Sequence, residues 1–109
     1  LGSFALILND YSEYVVPYET KIVSSYPNPF NPSVTIDYTL EHDSFVEINV
    51  FNILGQRINQ LHKGNQSRGD NKVIWNGKNI SGNKVSSGTY FIHIQNENKF
   101  LIEKVTLVK

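Results

Sequence analysis

The 109 residues include no cysteine, no methionine, one alanine and one tryptophan. Without thiols there is no disulfide scaffold and no thiolate metal site, whatever the redox compartment. The missing methionine reads as a piece of a longer protein or a processed product. Charge is scarce, at 18%, and ten basic residues balance ten acidic ones. A nucleic-acid surface or a polybasic membrane anchor needs clustered Lys and Arg, so neither partner is expected. Long apolar runs are absent too. The stretch 1–8 (LGSFALIL) is too short to span a bilayer and lacks the basic region and cleavage box of a signal peptide.

What fills the chain instead is ten Val, eleven Ile and thirteen aromatic residues, with thirteen Asn and seven Gly. β-Branched and aromatic side chains fit a pleated, half-buried surface, whereas helices favour Ala, Leu, Glu and Lys. Asn and Gly supply the positive-φ positions of tight hairpins. The composition predicts an all-β domain, and the length allows one domain with a core of its own.

The chain divides unequally. Residues 1–8 read as a strand or the end of a preceding domain. Residues 9–25 (NDYSEYVVPYETKIVSS) read as a polar linker with one short strand around 14–16. From Tyr26 the pattern is regular. Val34, Ile36, Tyr38 and Leu40 alternate with polar residues, as do Val46, Ile48 and Val50, and each series predicts a strand with one buried face. Further strands are expected over 56–61, over 72–75 with Val73 and Trp75 on one face, and over 90–95. In the last, over 99–108, Phe100 and Ile102 share a face, and a β-bulge near Glu103 and Lys104 is expected to bring Val105 and Leu107 onto it. Turn residues separate these runs at intervals of about ten, the pattern of a β-sandwich.

The search for chemistry finds little. His42, His62 and His93 have no metal-ligand spacing and read as solvated, and Glu41 and Asp43 beside His42 read as a charged hairpin tip. No nucleophile elbow, Cys–His pair or phosphate loop occurs, so neither catalysis nor a cofactor is expected. Trp75 and Tyr90 suit a sugar platform in type, but their strand phase points to the core. Asn65 and Asn79 stand in glycosylation sequons, and Pro29 to Pro32 satisfies a minimal PxxP pattern. The distinctive segment is Tyr26-Pro27-Asn28-Pro29-Phe30-Asn31-Pro32. Its prolines force an extended chain that can line a sheet edge but cannot be a central strand, with Tyr26 and Phe30 expected to anchor it by burial.

YPNPFNPSVTIDYTL, then VEINVFNILGQRINQL, VIWNGKNISGNKVSSGTYFIHIQ and a terminal EKVTLVK, arrive in the order of a known family. Together they resemble the type A C-terminal sorting domain of the bacterial type IX secretion system, and are similar to the immunoglobulin-like domain of flagellar hook-capping proteins. The resemblance covers 26–109 and is carried by the Tyr26 to Pro32 segment, Gly55, Trp75, Gly77, Gly88 and Tyr90. Asn76 stands where the family usually has Asp, and His93 where it usually has a basic or small polar residue.

The resemblance implies an immunoglobulin-like antiparallel sandwich of about seven strands. It also implies an address for a cargo domain earlier in the same chain. Such an address is recognised by the outer-membrane type IX translocon after passage through the periplasm. It is commonly removed by a sortase-like peptidase, leaving the cargo secreted or at the cell surface. Recognition is expected at Glu103, Lys104, Val105, Thr106, Leu107, Val108 and Lys109, where the last strand would offer a free edge for strand addition. Glycines 55, 77, 82 and 88 are expected to shape turns. The competing class is a retained structural, adhesive or carbohydrate-binding module, and its glycan version requires Trp75 or Tyr90 to be exposed.

Overall fold

The computed structural model describes residues 18–97 and 99–109. The strands expected at 1–8 and 14–16 lie outside the described residues. Seven strands form in order: β1 (Lys21–Tyr26), β2 (Val34–Leu40), β3 (Ser44–Asn52), β4 (Arg57–Gln66), β5 (Gly69–Trp75), β6 (Gly88–Gln95) and β7 (Phe100–Leu107). They make a three-stranded sheet, β1-β2-β5, packed on a four-stranded sheet, β4-β3-β6-β7. Every pairing between neighbouring strands is antiparallel. This is the immunoglobulin-like sandwich that the resemblance implies.

Period-2 alternation places the core. Val34, Ile36, Tyr38 and Leu40 of one sheet face Val46, Ile48, Val50, Tyr90, Ile92 and Ile94 of the other, all buried. Trp75 is fully buried between Phe30 and Tyr90, at ring-centroid distances of 5.5 and 5.1 Å. Its indole N–H donates to the Lys78 carbonyl at 2.9 Å, and the Tyr90 hydroxyl donates to the Ser86 carbonyl at 2.6 Å. The second bond is the tyrosine corner of immunoglobulin-like sandwiches, which ties the lead-in loop to the strand. With both rings inside, a glycan platform built on Trp75 and Tyr90 is excluded.

Three sequence expectations are corrected by the pairings. Strand β1 lies mostly within the stretch 9–25 read as linker. A register shift between Ile22 and Ser24 leaves Val23 exposed and breaks the alternation that would have revealed it. Strand β7 carries no bulge, since its register with β6 runs unbroken from Leu107 to Phe100. Instead Leu101, Glu103, Val105 and Leu107 point inward while Phe100 and Ile102 are exposed on the outer face. Glu103 tolerates its inward position at the sandwich margin because its carboxylate accepts a 2.6 Å hydrogen bond from Ser25. The third concerns His93, which is half-buried on the outer face between Phe51 and Phe100, with centroids 4.3 and 5.0 Å away. Burial lowers its pKa below the ordinary 6.5.

Candidate functional site

The proline segment determines how the last strand is presented. In β7, residues 104 and 106 turn their backbone groups away from β6, and the Tyr26–Pro32 segment meets them there. The Asn28 side chain donates to the Lys104 carbonyl and accepts from the Thr106 N–H, each at 3.0 Å. The Phe30 N–H donates to the Thr106 carbonyl at 2.8 Å, and the Phe30 carbonyl accepts from the Val108 N–H at 3.0 Å. A carboxamide can both accept from and donate to a strand, so Asn28 substitutes for one residue of a neighbouring strand. The ring of Phe30, 1% exposed, then plugs the end of the core against Trp75.

The free edge expected at the C-terminal end of β7 is therefore already covered from Lys104 to Val108. Among the described residues, the alternation leaves the outward backbone groups of Phe100 and Ile102 as the open part of that edge. Tyr26 is not a burial anchor. It is 43% exposed, and its hydroxyl accepts from Lys72, which also pairs with Asp37 at 3.0 Å. The hydrogen bond from Lys72 holds the Asp37 carboxyl below its usual range.

The expected site residues thus fall into two groups. Phe30, Trp75, Tyr90, Val105 and Leu107 converge as core, and Asn28 serves as cap. Lys104, Val108 and Lys109 are exposed. Gly77, at φ 74°, sits where an added Cβ would meet the Pro32 carbonyl oxygen at 3.2 Å, so the proline segment and the loop after Trp75 close on one another only with glycine there. Gly55 and Gly82 also have positive φ, as their turn roles require, whereas Gly88, expected in a turn, opens strand β6 opposite Leu107. Among the described residues no group of His, Asp and Glu is placed to hold a metal ion. His42 and Glu41 lie 3.7 Å apart, both exposed, between β2 and β3.

Comparison with known proteins agrees with this arrangement of segments. The profile of the family described as "Secretion system C-terminal sorting domain" matches residues 24–108, nearly the whole folded unit. The chain belongs to this family. It is a type IX C-terminal sorting signal. The sandwich resembles part of dimeric latent PorU from Porphyromonas gingivalis, at TM-score 0.67 and 18% identity over 85% of this chain and 10% of that one. It resembles part of PorZ, a surface component of the type IX secretion system of the same organism, at TM-score 0.57 and 22% identity over 80% of this chain and 11% of that one. FlgD from P. aeruginosa aligns at TM-score 0.56 and 26% identity over 80% of this chain and 64% of that one. The chain spans about a tenth of PorU and PorZ. No curated protein matches it by sequence. Domains of this kind are typically non-catalytic, act with the secretion machinery as part of a cargo chain, and mark proteins exported to the cell surface or medium.

In this sorting domain one structural feature escaped the sequence reading, a loop used twice. Residues 52–56 (Asn-Ile-Leu-Gly-Gln) and 79–83 (Asn-Ile-Ser-Gly-Asn) fold alike. In the first, the Asn52 side-chain oxygen accepts from Leu54 N–H at 2.9 Å and Gln56 N–H at 3.0 Å. In the second, Asn79 accepts from Ser81 at 3.0 Å and Asn83 at 2.9 Å. Each loop is also closed by two backbone bonds between 2.8 and 3.0 Å, and each glycine adopts positive φ, 81° and 88°. The signal was present as the repeated Asn-Ile-x-Gly spacing. What it could not convey is that Ile53, Leu54 and Ile80 stand 71%, 77% and 71% exposed on those loops.

Proposed function

We propose that the folded domain itself is the recognised address, and that it adds no chemistry of its own. Its cargo precedes it in the same chain. The outer-membrane type IX translocon takes the domain after passage through the periplasm, and a sortase-like peptidase separates it from the cargo. The observation that carries this reading is the coincidence of the family match, 24–108, with the folded unit. The peptidase needs extendable chain ahead of the sandwich, and residues 9–20 are the stretch between the apolar start and β1. On this reading the sorting unit starts at β1, a few residues ahead of Tyr26.

Recognition at residues 103–109 is retained in altered form. Because Asn28 and Phe30 cover the edge, a receptor reads the exposed Lys104, Val108 and Lys109 side chains and does not add a strand there. The test fuses the full chain to the C-terminus of a reporter in a bacterium with a type IX system. The reporter is expected at the surface or in the medium, and retention in the periplasm would overturn the proposal. Val108→Asp with Lys109→Glu, which leaves Val105 and Leu107 in the core, is expected to reduce export. Unchanged export would remove these residues from the recognition surface.

A further inference from the structure

We propose that the two Asn-Ile-x-Gly loops form a composite docking surface for a protein partner that offers an apolar pocket rimmed by carboxylates. The inference deepens the sorting function proposed above and rests on it. Both loops lie at the end of the sandwich where β7 finishes. The Ile80 N–H donates to the Ile58 carbonyl at 2.9 Å, and Asn59 donates to the Lys78 carbonyl at 2.8 Å, which binds the second loop to the strand that leaves the first. Three large aliphatic side chains are thereby held in water on one end of a small domain. Isolated exposed apolar residues need no explanation, but three on two matched loops at one end of the sandwich, the second tied to the strand that leaves the first, point to an interaction site.

Charge at this end specifies the partner's character. The segments that build it, 27–34, 52–60, 75–90 and 104–109, contain Arg57, Lys78, Lys84, Lys104 and Lys109 and no Asp or Glu. None of these cations makes an ion pair among the described residues. The zero net charge of the whole chain conceals this one-sided end. Lys84 and Lys109 also line a cleft of about 330 Å³ with Pro32, Gly77 and Leu107, room for an acidic side chain of a partner. Complementary charge of this kind steers encounter and fixes orientation, while the apolar tips supply buried area.

Rigidity favours a protein surface over a bilayer. The tips are fixed in place by Asn52, Asn79 and two positive-φ glycines, so little conformational freedom is lost on docking into a shaped pocket. A fluid interface has no use for fixed spacing and favours Trp and Tyr anchors, which these loops lack.

The test uses the same reporter fusion of the full chain, with Ile53→Asp, Leu54→Asp and Ile80→Asp combined. All three side chains are exposed, so the thermal midpoint of the purified variant is expected to match that of the parent. Export is expected to fall by roughly tenfold or more, as for loss of interface hot spots. Export of parent and variant alike would overturn the docking surface and leave the sorting function standing. Failure of the parent to be exported would overturn the sorting function itself, and this inference with it. If the triple variant loses its fold, Arg57→Glu with Lys84→Glu, both exposed and outside residues 103–109, probes the same surface by charge, and unchanged export there would overturn the proposal. Flotation of the parent, but not the triple variant, with phosphatidylglycerol vesicles would assign the surface to a membrane and overturn the protein partner.

Discussion

The two halves of β7 differ although they are one continuous strand. Toward Leu107 the side chains of Val105 and Leu107 are buried, and Asn28 and Phe30 cover the backbone edge. Toward Phe100 the apolar side chains Phe100 and Ile102 face outward, against His93, and among the described residues no cap reaches the edge. The first half is capped by non-local contacts across 76 to 78 residues of chain, whereas the second has its pairing with β6 and, at its inner end, the Ser25–Glu103 hydrogen bond. Strand identity therefore says little about local stability, and what lies against the strand says more. A domain read as an address benefits from a capped edge, because an open edge pairs with any available strand.

The comparison can be broken most forcefully at Phe30. Phe30→Ala empties the plug between Trp75 and the end of β7, and is expected to cost about 3–5 kcal/mol in chemical denaturation. A cost below about 1 kcal/mol would mean that the capped half does not depend on the proline segment. Asn28→Ala removes one donor and one acceptor from the edge and is expected to cost about 1–2 kcal/mol. Hydrogen exchange sharpens that prediction. Protection of the Thr106 N–H should fall in this variant while that of the Ile94 N–H stays unchanged, and an equal fall at both would indicate global loosening.

The smallest expected effect concerns the outer face. Burial between Phe51 and Phe100 lowers the His93 pKa, so the folded state disfavours the imidazolium. Below the unfolded value of 6.5 the unfolded chain binds more protons than the folded one. Stability is therefore expected to decline as pH falls from 6.5 through the lower folded pKa, and to be fully present above 6.5. His93→Gln should flatten this part of a pH series of denaturation midpoints. A slope identical to that of the parent would place the effect on other groups.

Strands β2, β3 and β6 were legible because each buries one face and leaves the other wet, which writes a period of two into the sequence. Strand β1 was hidden by its bulge at Val23. In β7 the apolar run Phe100-Leu101-Ile102 led the phase astray, since Phe100 and Ile102 are as hydrophobic as Leu101 between them. Their outward position follows from the continuous register with β6, which no property of Phe100 or Ile102 alone conveys. The expectation for Tyr26 failed for a related reason, because the neighbouring Lys72 and Asp37 come from β5 and β2 and are set by sheet pairing.

The candidate surface shows the same division. Glycine and asparagine at 52–56 and 79–83 declare turns from local conformational preference, and the matched spacing is readable in the chain. That the two turns meet at one end depends on the hydrogen bond from Ile80 to Ile58 and on which strands neighbour which.

By itself the sequence determined the all-β class, the inward faces of the regular strands, the turn positions and the family, because these follow from local propensity, period and motif order. Tertiary structure alone decided that Asn28 and Phe30 cover the last strand, that Phe100 and Ile102 face outward, and that a cationic end with three exposed aliphatic side chains exists on a chain of zero net charge. These depend on contacts between segments distant in sequence, and neither composition nor periodicity records which distant segments meet.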